Sequence, residues 1–245
     1  MALYGTPHRF AMTDRGRDAL CRSASHLTIG PSSLRWDGEA VTLDIEERCF
    51  PTGSRIRGRV RLTPGPLNTR RFALDAAGRH QWQPLSAAAR VEVELDEPRL
   101  RWSGRAYLDS NWGSAPLERD FVDWDWCRAP LREGAAILYD ARRRDGTRQR
   151  LALRFRPDGS LTDMAVPPDT RLPRTRWGIR RATQGDAVLD RTLEDTPFYA
   201  RSVLRTRLDG EDALAVHESL DLDRFAALPI QLMLPFRVPR ALSRS

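Results

Sequence analysis

The chain has 245 residues with a formal net charge of +7, and 40% of its residues are hydrophobic. This length can bury a substantial core in one large domain or in two small ones. No apolar run approaches the ~18 residues that a transmembrane helix needs. The first residues lack the apolar core of a signal peptide, so we expect no export and a cytoplasmic location.

Most of the chain alternates apolar and polar residues with a period of two, which is typical of half-buried β-strands. The predicted strands, in chain order, are IRGRVRLT (56–63), RVEVEL (90–95), LRWSGRAYLD (100–109), AILYDA (136–141), RLALRFR (150–156), AVLDRTL (187–193) and ALAVHESLDL (213–222). Helical spacing is confined to two short segments, GRDALCRSA (16–24) and LDRFAAL (222–228), and Pro229 would end the second.

Turns rich in Gly, Pro and Asp separate the predicted strands, as in TPGP (63–66), RPDGS (156–160) and LDGED (208–212). Many short antiparallel strands with such turns indicate an all-β sandwich or barrel. The segment RAPLREG (128–134) interrupts the alternation, which begins afresh after it. We therefore predict two β modules in tandem, 1–130 and 131–245, with few short helices.

Two extended segments each carry a pair of chemically active side chains two residues apart. His80 and Trp82 form one pair, and Tyr107 and Asp109 form the other. Residues i and i+2 of a strand share a face, so both pairs could point into one cavity. They would supply a carboxyl, an imidazole and two aromatic walls for acid–base chemistry on an apolar substrate. The alternative is a cross-strand packing pair at 80 and 82 and a turn approach at 107 and 109.

The run from Gly104 to Ala129 interleaves aromatic and acidic residues. The simplest structural interpretation places its tryptophans at a junction between two modules: Trp112, Trp124 and Trp126. The carboxylates of the run fit turn and rim positions: Glu118, Asp120, Asp123 and Asp125. Asn111 and Gly113 suit a turn.

The three cysteines and four histidines are scattered, without the spacing of a disulfide framework or a zinc site. All 40 basic residues are arginine. Arginine clusters at 141–150 and 174–181 could bind nucleic acid or anionic lipid headgroups. Solvated surface is the favoured interpretation, and we expect no nucleic-acid partner.

Motifs along nearly the whole chain resemble the carotenoid 1,2-hydratase family, also called hydroxyneurosporene synthases. They are ALYG (2–5), RFAMTDRG (9–16), LRWDG (34–38), FALDAAGRHQWQP (72–84), LRWSGRAYLDSNWG (100–113), PLERDFVDWDW (116–126) and LPFRVPR (234–240). Family members usually carry a further portion before the ALYG segment, whereas Met1 stands directly at it here, so the resemblance leaves two alternatives: a start chosen late, or a first module that lacks an early strand.

The resemblance implies a pair of lipocalin-like β domains, with the site in the first module. The family's catalytic histidine, tryptophan, tyrosine and aspartate match His80, Trp82, Tyr107 and Asp109. The implied reaction adds water across the terminal 1,2 double bond of an acyclic carotene in a bacterial pathway, without a metal or organic cofactor. In it Asp109 would be the acid, Trp82 and Tyr107 would stabilise the cation, and His80 would orient the water.

A membrane-held polyene substrate predicts peripheral contact with the bilayer. The apolar stretch FAALPIQLMLPF (225–236) could line the entrance of the cavity or dip into the lipid interface, or could form a buried closing strand. Two other functions fit the same architecture: a non-catalytic lipocalin-type binder of hydrophobic ligands, and a polyene isomerase or pericyclase. The sequence does not decide the oligomeric state.

Overall fold

A computed structural model describes residues 1–13, 15–49 and 52–234. Its contacts divide the described chain into two units. Unit 1 comprises Met1–Pro64, Ala89–Ala106 and the described residues from Gln231 on, and unit 2 comprises Gly65–Ala88 and Tyr107–Ile230. The modules 1–130 and 131–245 stay a prediction.

The first ten strands lie between Ala2 and Gly113. They are β1 (Ala2–Leu3), β2 (Arg9–Phe10), β3 (Leu20–Arg22), β4 (His26–Ile29), β5 (Ser32–Trp36), β6 (Val41–Arg48), β7 (Arg55–Thr63), β8 (Phe72–Ala73), β9 (His80–Glu97) and β10 (Leu100–Gly113). Strands β1 and β2 pair with each other. The others form a sheet of order β10-β9-β7-β6-β5-β4-β3, in which β8 also pairs with β9.

The segment predicted as an N-terminal helix is mostly not helical. A single 3-10 turn spans Arg17–Ala19, and β3 follows it directly. Leu20 pairs with Ile29 across the β3–β4 ladder. The helix prediction is therefore wrong, because ladder hydrogen bonds to β4 outweigh a weak local helical preference.

The remaining elements begin with a short helix. They are α1 (Leu117–Asp120), β11 (Phe121–Pro130), β12 (Ala135–Arg143), β13 (Arg148–Phe155), β14 (Leu161–Asp163), β15 (Asp169–Leu172), β16 (Arg181–Gln184), β17 (Asp186–Asp195), β18 (Tyr199–Leu208), β19 (Glu211–Asp221), α2 (Leu222–Ala226) and α3 (Leu228–Met233). Seven strands form an antiparallel sheet of order β14-β13-β12-β11-β19-β18-β17, and β15 pairs with β16.

The predicted fold class is confirmed: the protein is all-β and lipocalin-like, with antiparallel sheets and few short helices. All seven predicted strands lie within observed ones, apart from one or two terminal residues. Among the described strands neither large sheet closes on itself, since each order has two free ends. The helix predicted at 222–228 is observed in part as α2, which ends at Ala226. Pro229 does not end it as predicted but lies in the first turn of α3, where a proline is tolerated because the first backbone N–H groups of a helix have no partner within it.

The two faces of β11 differ because side chains alternate along a strand. Trp126 lies opposite Tyr139 of β12 and Glu218 of β19, so these three side chains share one face. Cys127 lies opposite His217 on the other face and belongs to a second apolar cluster of unit 2. The first of these two faces carries the site.

The arginine cluster at 141–150 is largely neutralised by neighbouring carboxylates. Arg142 pairs with Asp123, and Arg148 pairs with Asp140 and Asp169. These contacts favour the interpretation as ion-paired surface over a nucleic-acid patch.

Candidate active site

A cavity of about 590 Å³ lies within unit 2. Strands β9, β10, β11, β12, β18 and β19 contribute to its lining. Its lining includes one imidazole, one carboxyl group and four aromatic side chains: His80, Asp109, Trp82, Tyr107, Trp126 and Tyr139. The structure therefore brings the four residues singled out in the sequence around one cavity, while their catalytic roles stay a prediction.

Asp109 presents its carboxyl group to this cavity from β10. Its Oδ2 accepts a hydrogen bond from Trp82 Nε1 at 2.9 Å and another from the Tyr107 hydroxyl at 3.2 Å. Burial raises the pKa of Asp109, and hydrogen bonds from Trp82, Tyr107 and Asn111 oppose that rise without cancelling it. The result is a carboxyl group whose neutral form is more favoured than that of a solvent-exposed aspartate.

Trp82 and Tyr107 thus both donate hydrogen bonds to the same oxygen atom of Asp109. Trp82 is fully buried on β9, which neighbours β10 in the sheet. Burial, followed by the charge of Asp109, raises the pKa of Tyr107 well above its usual value. The Tyr107 hydroxyl therefore keeps its proton and remains a donor at neutral pH.

His80 is 2% exposed and does not hydrogen-bond to Asp109. Its Nε2 lies 2.7 Å from Asp120 Oδ2. Arg79 donates two hydrogen bonds to the same carboxylate, at 3.1 and 2.6 Å. Burial pushes the pKa of Asp120 up, but the hydrogen bond of His80 and the charge of Arg79 outweigh burial and lower it.

Asp120 is therefore more than the rim group that the sequence suggested. Its side chain is only 9% exposed. It sits at the end of α1, where the backbone turns into β11. Asp120 belongs to the PLERDF motif, but the sequence could not predict its contact with His80, because the two residues are 40 positions apart.

Aromatic rings form the apolar wall of the cavity. The Trp82 ring packs against Phe72 and Tyr139 with centroid distances of 5.4 and 5.2 Å. Trp126 packs against Tyr107 at 5.2 Å, and Trp124 against Tyr139 at 6.3 Å.

Trp124 and Trp126, which the sequence placed with Trp112 at a junction between the two predicted modules, line the cavity, and the junction itself stays a prediction. Their period-two spacing in DWDW was the signal that could have placed them on one strand face. Asn111 and Gly113 also line the cavity, and both lie in β10 rather than in a turn.

An ion pair between Arg201 and Glu218 adds a polar patch to this wall. Arg201 also donates to the Tyr199 hydroxyl at 2.9 Å. The sequence analysis missed both charged residues, because a single Arg or Glu in an alternating strand carries no local signal of facing inward.

In the described part of the chain, no group of three or more His, Cys, Asp or Glu side chains is placed to hold a metal ion. All three cysteines are free thiols. Among the described helices, none is long and apolar enough to span a membrane.

The fold and the cavity define an all-β protein with an aromatic pocket built around a carboxyl group of raised pKa. The sequence model of carotenoid hydratase CrtC matches residues 1–245, and the chain belongs to that family. The acyclic carotenoid 1,2-hydratase of Thiocapsa roseopersicina is 53% identical over 98% of this chain and 61% of its own length. That of Rubrivivax gelatinosus is 47% identical over the same shares. The chain thus spans about three fifths of the length of these relatives.

A solved structure shares the fold at low sequence identity. The crystal structure of a candidate AttH protein of Nitrosomonas europaea superposes with a TM-score of 0.57 at 15% identity, covering 87% of this chain and 75% of that one. This likeness concerns the fold alone.

Proposed function

We propose that the protein is a hydro-lyase that adds water across the terminal 1,2 double bond of an acyclic carotene of the lycopene or neurosporene type. The product is a tertiary 1-hydroxy carotenoid. The observation that carries this proposal is the carboxyl group of Asp109, which burial in an aromatic cavity favours in its neutral form. The relatives named acyclic carotenoid 1,2-hydratase support the substrate class.

The first step is protonation of C2. An isolated trisubstituted alkene is a weak base, so a strong general acid must supply the proton. Asp109 serves only when neutral, and its raised pKa favours that state. Because Trp82 and Tyr107 both donate to Oδ2, Oδ2 acts as the carbonyl oxygen of the neutral acid. Oδ1 then carries the proton that is transferred.

Protonation of C2 leaves a tertiary cation at C1, and the second requirement is to stabilise this cation. Aromatic faces stabilise such a cation by cation–π attraction, which is strongest in a desolvated site. Trp82 and Tyr107 line the cavity, and Trp126 and Tyr139 extend the wall. The hydrogen bonds to Asp109 give Trp82 and Tyr107 a second role, as donors that hold the acid.

The third step is capture of the cation by water. The water oxygen forms the bond to C1, and His80 orients this water and takes its proton. Substrate and water account for every atom of the product. The proposed reaction therefore needs no metal, flavin or nicotinamide.

We further propose that the protein contacts the membrane that holds the carotene. Helix α3 carries Leu228 and Leu232, four residues apart and 69% and 58% exposed. Trp112 and Leu117, which line the cavity, are also exposed. Of the apolar stretch 225–236, the structure describes residues 225–234. They belong mainly to helices α2 and α3 and include exposed leucines, so this part does not form the buried strand that the sequence left as an alternative. Residues 235 and 236 lie outside the described residues.

The decisive experiment is product analysis with lycopene. We expect the wild-type protein to form 1-hydroxylycopene and Asp109→Asn to lose at least about 100-fold in rate, because Asn keeps the hydrogen bonds but has no transferable proton. As a control for folding, Asp109→Asn should melt no lower than wild type at neutral pH, since ionising a buried carboxyl of raised pKa opposes folding there.

Other products would identify the other functions. Recovery of bound but unchanged lycopene would favour a hydrophobic-ligand binder. A rearranged isomer without added oxygen would favour an isomerase. Substantial hydration by Asp109→Asn would overturn the assignment of the acid.

A further inference from the structure

The two ring nitrogens of His80 face different surroundings. Nε2 is paired with Asp120 at 2.7 Å, and the two side chains are 3% and 9% exposed. Nδ1 lies toward Gly113 of β10, where a Cβ atom built on the glycine would stand 2.9 Å from it. Among the described residues Nδ1 has no hydrogen-bond partner, although His80 and Gly113 both line the cavity.

The partner of Nε2 determines which nitrogen carries the proton. Asp120 accepts two hydrogen bonds from Arg79 and has a lowered pKa, because His80 and Arg79 together outweigh the effect of burial. An ionised carboxylate can only accept hydrogen bonds. Neutral His80 therefore donates from Nε2 and exposes the lone pair of Nδ1 to the cavity.

Gly113 keeps that lone pair accessible. Its φ lies outside the left-handed region, so its backbone does not itself require glycine. A side chain there would meet Nδ1 and the Arg79 carbonyl oxygen, each at 2.9 Å. The close approach, rather than the backbone conformation, explains the absence of a side chain at 113.

We infer that the room beside His80 Nδ1, which a side chain at 113 would fill, binds the water molecule that becomes the hydroxyl group, and that Asp120 is a positioning residue for His80. This inference rests on the proposed hydration. His80 and Trp82 leave β9 on the same face about 7 Å apart, and Trp82 contacts the acid Asp109. His80 and Asp109 line the same cavity, so the proposed water site and the acid face the same bound substrate.

Asp109 gives its proton to C2 and becomes a carboxylate. The water oxygen at Nδ1 bonds to C1, and its proton passes to Nδ1. His80 becomes an imidazolium that the Asp120 carboxylate stabilises. Proton exchange with solvent then returns His80 to its neutral form and Asp109 to its acid form.

The test separates proton transfer from water capture by incubating the protein with lycopene in deuterated water. For Gly113→Ala and Asp120→Asn we expect the alcohol to fall about 10- to 100-fold, the usual effect of losing a residue that orients a catalytic group. Incorporation of deuterium at C2 of recovered lycopene should persist, because Asp109 is intact. Gly104→Ala, at an exposed glycine of the same strand β10, is the matched control and should behave as wild type.

A second measurement does not depend on activity. In protein labelled with ¹⁵N-histidine, the His80 resonances are assigned by their loss in His80→Gln. At a pH where the ring is neutral, we expect them to report a protonated Nε2 and an unprotonated Nδ1. The opposite tautomer would overturn the inference even if a variant fails to fold.

The kinetic outcomes are equally distinct. Equal loss of alcohol and of deuterium exchange in folded Gly113→Ala and Asp120→Asn would overturn the water site. Full hydration by both variants would overturn it as well. If wild-type protein yields neither alcohol nor exchange, the proposed function fails, whereas the tautomer measurement still tests the role of Asp120.

Discussion

At the scale of single residues, the acid depends on opposing effects on one carboxyl group. Burial raises the pKa of Asp109, whereas the donors Trp82 and Tyr107 lower it. Each donor stabilises the ionised form more than the neutral form. In the proposed reaction, this balance decides the pH at which Asp109 can protonate the alkene.

Tyr107→Phe tests this balance because it removes one donor and keeps the ring. Without the hydroxyl the pKa of Asp109 should rise further, so more of the acid is neutral at a given pH. The alkaline limb of the pH–rate profile for lycopene hydration should then move to higher pH. A limb that stays in place or moves to lower pH would show that the limb does not report Asp109.

At the scale of elements, β11 turns two tryptophans toward the cavity and its carboxylates away from them. Trp124 and Trp126 line the wall. On the other face, Asp125 accepts a hydrogen bond from the Ser219 hydroxyl. This single strand accounts for the interleaving of aromatic and acidic residues in the sequence, since its alternation serves two separate environments.

Substitutions of Trp126 test whether this face stabilises a cation. Cation–π attraction in a desolvated site is worth about 2 kcal/mol, which is about 30-fold in rate. We expect Trp126→Leu to lose about that factor in kcat and Trp126→Phe to lose less. Trp177→Leu is the matched control, because Trp177 is 57% exposed and does not line the cavity. Equal losses in folded Phe and Leu variants would point to shape rather than charge.

At the scale of the whole molecule, the membrane contact that we propose draws on both the formal net charge of +7 and the exposed leucines of α3. Positive charge attracts the chain to anionic lipid, and this attraction weakens as salt screens it. Apolar side chains that enter the interface add binding that salt does not screen.

Vesicle sedimentation tests this pair of effects. Binding to vesicles containing phosphatidylglycerol should weaken with added salt. The double substitution of Leu228 and Leu232 by serine should weaken binding to neutral phosphatidylcholine vesicles by about 100-fold, given roughly 1.5 kcal/mol for each buried leucine. Leu214→Ser, at a residue 54% exposed on β19, should bind as wild type. Unchanged binding of the double variant would exclude α3 from the contact.

Local pattern alone predicted the strands and the two candidate pairs. Alternation with period two identified the strands, because a strand's side chains alternate between faces whatever it pairs with. The same rule put His80 with Trp82 and Tyr107 with Asp109, and both pairs line the cavity. Helical spacing, by contrast, failed at residues 16–24, where pairing with β4 decided the conformation.

The sequence by itself determined the all-β class, the family and the four candidate residues, because these depend on local alternation and contiguous motifs. Only the tertiary structure decided which partner each residue meets. Asp120 reaches His80 across 40 positions, and Glu218 faces Trp126 across β11 and β19. Strand pairing creates such contacts between distant positions, and burial in the resulting cavity raises the pKa of Asp109. Neither effect is a property of neighbouring residues in the chain.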